Sequence, residues 1–275
     1  MSAQNKVKRI GVTDLRARKG KEPLVCLTAY DAPTAGMLDV HCDVLLVGDS
    51  LGMVVHGMDS TIGVTVEMMI MHAQAVMRAA HRAMVVVDLP FGSYEESPAQ
   101  AFRTAARVLG ETGAGAVKIE SGAYAADTIR YLTERGVPVM AHVGLRPQAA
   151  LVAGGFKAKG RTEAELDIVL QEAEGADEAG AFAIVVEGTD AALAERITAT
   201  VSAPTIGIGA GAACDGQILV TPDMLGQFER VPKFVRRYAD LKDRTDAAVK
   251  AYAEDVRARR FPSAEETYSF KPASR

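Results

Sequence analysis

Cysteine, histidine and net charge are all scarce in this chain. Cys26, Cys42 and Cys214 are its three cysteines, and 275 residues hold only five histidines. The cysteines are odd in number, far apart and without CxxC spacing. Neither a disulfide framework nor a zinc site is indicated, and the three read as reduced, buried thiols. The net charge is −4 and the pI about 5.8, so the positive footprint of a nucleic-acid-binding protein is missing. Basic residues between Lys6 and Lys21 form a small local excess that reads as a solvated lead-in. No apolar run approaches the ~18 residues a membrane helix needs, and no secretory h-region follows Met1. The expectation is a soluble cytoplasmic protein with neither a nucleic-acid nor a membrane partner.

What is present is a long alternation of apolar strands and helices. Hydrophobic residues make up 48% of the chain, enough for one sizeable core. Strands are predicted at 23–30, 44–50, 83–90, 115–120, 137–143, 181–187, 204–208 and 217–220. They are apolar nearly throughout, as strands buried on both faces should be. Helices fall between them, with no break in composition. The best reading is a single (β/α)8 barrel domain spanning residues 1–275, with a lead-in at about 1–22 and a helical tail at about 233–275. An open doubly wound sheet is the alternative. Helix starts are signalled at Asp31, at Thr65, and at Ser97-Pro98-Ala99-Gln100, where the glutamine can reach back. A further capping box reads from Thr162 to Glu165. Met68, Met69, Met71 and Met77 fall at helical spacing and read as core or interface packing.

A barrel brings the C-terminal ends of all its strands to one mouth. Asp49, Asp88 and Glu120 end the second, third and fourth strands. Neighbouring strands lie about 4.8 Å apart, so three unpaired carboxylates there would repel and raise one another's pKa. Any one acid could cap a helix or pair with a base. The three together favour a hard divalent cation, with Mg²⁺ the natural candidate for oxygen ligands. Lys118 shares a face with Glu120 and suits a substrate carboxylate, with a Schiff-base role as rival. Ser50 and the backbone N–H groups beside it suit the same anion. Glu187 ends the sixth strand beyond the acid cluster. It reads either as a general base removing a proton α to a carbonyl or as a cap or salt-bridge partner. His142 ends the fifth strand and reads as substrate contact or structural; His41, His56, His72 and His81 read as structural or surface residues. Segments 51–63 and 144–160 are long loops of the functional kind. The glycine run 207–211 reads either as a phosphate loop or as a tight turn.

With these residues in place, the chain resembles the ketopantoate (3-methyl-2-oxobutanoate) hydroxymethyltransferase family from about Leu24 to Phe261. The resemblance is carried by LTAYD (27–31), VGDSLGMVVHGMDST (47–61), VDLPFGSY (87–94), VKIE (117–120), HVGLRPQ (142–148), GGFKAKGR (154–161), IGIGAG (206–211), DGQILV (215–220) and PKF (232–234). It implies a TIM barrel of the phosphoenolpyruvate/pyruvate-binding type. It also implies transfer of a hydroxymethyl group from 5,10-methylenetetrahydrofolate to 3-methyl-2-oxobutanoate, giving 2-dehydropantoate for pantothenate and coenzyme A. A magnesium cofactor and a large homo-oligomer, typically a decamer, come with the family. By motif, Asp49, Asp88 and Glu120 match its magnesium acids. Asp49, Ser50, Asp88 and Lys118 match its keto-acid contacts, Glu187 its proton acceptor, and His142 a site histidine. The chain departs where many members have proline at Gly63 and cysteine at Gly188, and in its 263–270 tail. A C–C or P–C lyase or mutase of the same barrel superfamily, acting on another 2-oxo acid, is the alternative. No KKCGH-like loop supports it.

Overall fold

The computed structural model describes residues 8–122, 124–154 and 163–269. The chain divides into two compact units, one running to Thr221 and one from Pro222 onward. In the first, eight parallel strands close into a barrel in sequence order. They are β1 Leu24–Thr28, β2 Val44–Val47, β3 Met84–Asp88, β4 Ala116–Glu120, β5 Val139–Gly144, β6 Ala183–Glu187, β7 Thr205–Ile208 and β8 Gly216–Leu219. Pairing of β8 with β1, from Leu24↔Gly216 to Leu27↔Leu219, closes the ring. That pairing excludes the open doubly wound sheet.

The helices of this unit are α1 Val12–Arg16, α2 Ala32–Leu38, α3 Leu51–Val54, α4 Val66–Ala79, α5 Pro98–Thr112, α6 Ala125–Thr133, α7 Ala150–Ala153, α8 Glu163–Glu178 and α9 Ala191–Thr200. Their starts follow local chemistry. Asp31 accepts the Thr34 N–H at 2.8 Å, Thr65 the Met68 N–H at 3.2 Å, and Ser97 the Gln100 N–H at 3.1 Å. The Gln100 side chain reaches back, but to the N–H of Glu96 rather than that of Ser97. The segment after β2, expected as a loop, opens instead with the single turn α3. Leu51 is fully buried there and anchors it. Of the α4 methionines, Met69 is buried while Met71 is exposed. The expected 144–160 loop holds a 3₁₀ turn, Pro147–Ala149, and then α7. Its 155–160 portion lies outside the described residues, as does Thr162 of the expected capping box.

Strand parity divides the core in two. Val44, Leu46, Met84, Val86, Ala116, Met140, Ala183, Val185, Ile206 and Ile218 belong to one buried cluster, the barrel lumen. Their neighbours, among them Leu45, Val47, Val85, Val87, Val117, Ile119, Ala141 and Val186, belong to the other, beneath the helices. Fully burying one such valine or leucine contributes about 1.5–3 kcal/mol. The strands are therefore fixed in register by many small terms. The β1–β8 seam is the exception: the outward register partners Val25 and Gln217 are both exposed.

The second unit holds most of α10 Thr221–Met224 and all of α11 Leu241–Arg257. The expected tail helix begins later than Lys233, because 233–240 is irregular. α11 buries none of its residues, and Val249, Tyr252 and Val256 are exposed along it. Among the described residues, no helix is long and apolar enough to cross a membrane.

Candidate active site at the C-terminal mouth

On β3 to β6 the lumen face starts apolar and turns polar toward the strand's C-terminal end. Asp88 follows Met84 and Val86 on β3. Lys118 and Glu120 follow Ala116 on β4, His142 follows Met140 on β5, and Glu187 follows Ala183 and Val185 on β6. The register then sets Asp88 beside Lys118, Glu120 beside His142, and Gly144 beside Glu187. Asp49 and Ser50 stand just past the end of β2, in the turn into α3.

These residues form one connected cluster. Lys118 Nζ lies 2.8 Å from Asp88 Oδ1. The other Asp88 oxygen accepts the backbone N–H of Asp49 at 3.0 Å. His142 sits between two acids: its Nδ1 is 3.9 Å from Glu120 Oε1 and its Nε2 is 3.1 Å from Glu187 Oε2. Neither ring nitrogen is aligned as a hydrogen bond, so both remain buried without a settled partner. Next to Asp49 in the chain, the Ser50 hydroxyl pairs with that of Tyr30 at 2.8 Å. At Gly144, with φ 94°, any side chain would collide with the Glu187 carbonyl oxygen. That bare backbone lets β5 and β6 approach closely where Glu187 stands. Gly188, one of the departures noted above, also has a left-handed φ of 58°.

Charge is unbalanced here. Asp49, Asp88, Lys118, Glu120 and His142 are all buried, and Glu187 is only slightly open. Burial pushes the Asp49 carboxyl up to about 7, with Asp88 adding to the rise. Burial likewise lifts Glu120 to about 8, against the pull of Lys118. Burial disfavours the Lys118 ammonium, but Asp88, Asp49 and Glu120 outweigh it and hold the group above the ordinary lysine value. His142 is lowered by burial and by Lys118, which keeps the imidazole neutral.

Among the described residues, one ammonium stands against Asp49, Asp88 and Glu120, a surplus of buried acidic oxygens. That donor set suits Mg²⁺, which is held by one or two carboxylates while keeping water or substrate oxygens. Among the described residues, no three His, Cys, Asp or Glu side chains converge closely enough to hold a metal by themselves. Any ion held here would have to take part of its shell from substrate and solvent.

The sequence reading did not assign roles to Gln148, Tyr94 or Tyr30. Gln148, from the 3₁₀ turn after β5, donates to Asp49 Oδ2 at 2.9 Å and to the Leu89 carbonyl at 3.0 Å. Its backbone N–H lies 3.2 Å from each Glu120 carboxylate oxygen. Tyr94 donates its hydroxyl to Gln148 Oε1 and accepts the Glu120 N–H. Each lies just past a strand end, a position that could have marked it. His56 and His72, read as structural or surface residues, face each other with their Nε2 atoms 3.0 Å apart. His72 Nδ1 meets the Tyr30 carbonyl at 2.6 Å. A carbonyl only accepts, so that nitrogen carries the hydrogen. The glycine run after β7 forms a turn in which Gln217 Nε2 donates to the Gly211 carbonyl at 2.9 Å.

A closed parallel barrel with an acid cluster at its C-terminal mouth defines the class: a (β/α)8 barrel. The fold is similar to that of 2,3-dimethylmalate lyase, a protein described as a member of the PEP mutase/isocitrate lyase superfamily, with a TM-score of 0.57 and 16% identity over 94% of this chain and 88% of that one. Phosphoenolpyruvate phosphomutase from Streptomyces platensis subsp. rosaceus matches with a TM-score of 0.60 and 15% identity over 94% and 92%. A family model described as ketopantoate hydroxymethyltransferase matches residues 9–264. The chain belongs to the ketopantoate hydroxymethyltransferase family. Proteins named 3-methyl-2-oxobutanoate hydroxymethyltransferase are 66% identical in Maricaulis maris, over 98% of this chain and 99% of that protein, and 63% identical in Phenylobacterium zucineum, over 98% of each.

Proposed function

We propose that this chain transfers a hydroxymethyl group from 5,10-methylenetetrahydrofolate to 3-methyl-2-oxobutanoate, giving 2-dehydropantoate on the route to pantothenate and coenzyme A. The observation that supports it most is the buried strand-end cluster, where among the described residues three acids, Asp49, Asp88 and Glu120, gather beside one cation, Lys118. Asp49, Asp88 and Glu120 would hold Mg²⁺, which when bound polarises the keto acid and favours its enolate. Lys118 and Ser50 orient the substrate carboxylate, while Asp49 and Asp88 would contact the keto acid by way of the cation they hold. Glu187, the most open acid of the group, takes the proton from C3. His142, neutral and 3.1 Å from Glu187, can accept a hydrogen bond from the protonated carboxyl and so hold the proton there. The barrel lumen below excludes water from one side of the enolate. The methylene group leaves the folate with water as formaldehyde, releasing tetrahydrofolate. The enolate carbon adds to its carbonyl carbon, the C=O π bond breaks, and the resulting alkoxide takes up a proton to give the hydroxymethyl group.

The chain acts as a cytoplasmic enzyme, a reading supported by its three free, buried cysteines. It works as a homo-oligomer, a decamer by family likeness. Exposed Met37 of α2, Val40 just after that helix, and Val249 and Tyr252 of α11 are apolar surface of the kind that subunit contacts cover. The direct test supplies 3-methyl-2-oxobutanoate, 5,10-methylenetetrahydrofolate and Mg²⁺ to the purified protein. 2-Dehydropantoate should form only when all three are present. Carbon–carbon cleavage of a dicarboxylic acid without folate would point instead to a lyase.

A further inference from the structure

Gln148 uses every hydrogen-bonding group of its side chain, and its backbone N–H, on or around the acid cluster. The residue is buried. Its two amide hydrogens go to Asp49 Oδ2 and the Leu89 carbonyl, its Oε1 accepts from Tyr94, and its N–H is shared between the two oxygens of Glu120. The orientation of the carboxamide is unique. Exchanging its nitrogen and oxygen would aim a carbonyl at the Asp49 carboxylate and the Leu89 carbonyl, both acceptors. One residue from the turn after β5 therefore ties the acid after β2 to the acid ending β4, and anchors both to the backbone just past β3.

The chemistry of the donor matters as much as its reach. Elsewhere in the barrel, buried acids are held by cations: Asp215 by Lys19 at 2.9 Å, and Asp43 by Arg82 at 3.4 Å. A lysine or arginine at position 148 would pair with the acids and cancel the charge that draws a metal ion. A neutral amide orients them and leaves that charge in place. The phenol of Tyr94 is neutral too, and it fixes the amide from behind.

We infer that Gln148 is a positioning residue, whose carboxamide and N–H hold Asp49 and Glu120 at the spacing that receives a divalent cation and a 2-oxo acid. This rests on the reading of the mouth as a cation and keto-acid site. Removal of outer partners of this kind typically weakens metal binding by about 10–100-fold. Mn²⁺ binding to the full-length protein, followed by water-proton relaxation without substrate, reads the effect independently of turnover. Wild type should bind Mn²⁺, and Gln148→Leu should bind it about 10–100-fold more weakly with an unchanged circular dichroism spectrum. Gln148→Lys should abolish binding. Tyr94→Phe, which leaves the amide but removes its anchor, should weaken binding in the same direction by a smaller factor, and it decides the matter should Gln148→Leu fail to fold. Equal Mn²⁺ affinity in wild type and the folded variants would overturn the role of Gln148 alone. A wild type that binds no Mn²⁺ would overturn the cation reading of the mouth and this inference with it.

Discussion

The barrel buries acids at both ends and treats them in opposite ways. At the N-terminal end, each acid precedes a strand and is fully answered. Asp39 accepts the N–H groups of His81, Arg82 and Ala83. Burial alone would raise its carboxyl, but those backbone donors outweigh it and lower the pKa. Asp215 accepts from Gly20, Thr205 and Lys19, and is lowered in the same way against burial. At the C-terminal end, burial meets too few donors, and Asp49 and Glu120 are raised to about 7 and about 8. One fold thus holds stabilising carboxylates and costly ones about a strand length apart. Acids that cost stability are those available to a ligand.

Substitutions should separate the two ends, and the largest effect falls on Lys118. Among the described residues it is the cation that pairs with Asp88, and breaking a buried pair by removing one partner costs about 3–5 kcal/mol. Lys118→Met should lower the thermal midpoint sharply and abolish keto-acid binding, as read by calorimetry. Next comes Asp215→Ala, which leaves buried N–H donors without an acceptor, at about 1–3 kcal/mol. The folded fraction of that variant should keep its kcat/KM, because the site lies at the other end. Asp49→Asn should do the reverse. It removes a charge the fold does not compensate, so metal-free protein at pH 8 should become more stable by about 1 kcal/mol, while Mg²⁺-dependent activity disappears. Loss of stability in Asp49→Asn at that pH would break the contrast.

The two ends also differ in sign with pH. Asp39 and Asp215 have lowered folded-state pKa values, so their contribution is present above the unfolded value of about 4 and is lost as pH falls below it. Asp49 and Glu120 have raised values. They favour the fold while protonated and lose that contribution as pH rises from about 4 through about 7 and about 8. A divalent cation binds the ionised forms. Its affinity should therefore rise with pH across the upper part of that range, with proton release on binding. Calorimetry in buffers of different ionisation enthalpy measures that release, and a pH-independent affinity would show that the two acids do not bind the ion. This is the smallest of the expected effects.

The fold was legible in the chain because its strands are short, mostly apolar runs between helical segments. Asp88, Lys118, Glu120, His142 and Glu187 were legible because each is a polar residue at or near the end of one of the strands β3 to β6. Asp49 and Ser50 were placed at a strand end, yet β2 stops at Val47 and both lie in the turn beyond it. The turn α3 was not visible, since Leu51-Gly52-Met53-Val54 has no helical periodicity within four residues and is fixed by burying Leu51. Gln148 was hidden for a different reason. Its partners, Asp49, Leu89, Tyr94 and Glu120, come from three other strand ends, and only closure of the barrel brings them within reach of one carboxamide.

The proposed removal of a C3 proton from 3-methyl-2-oxobutanoate by Glu187, at a mouth whose acids are proposed to hold a cation, is best measured as hydrogen–deuterium exchange at that carbon. The assay uses Mg²⁺ and no folate, and follows wild type beside Glu187→Gln. Wild type should exchange, and the variant should still bind Mg²⁺ but exchange about 10²–10⁴-fold more slowly. Full exchange in Glu187→Gln would contradict Glu187 as the base.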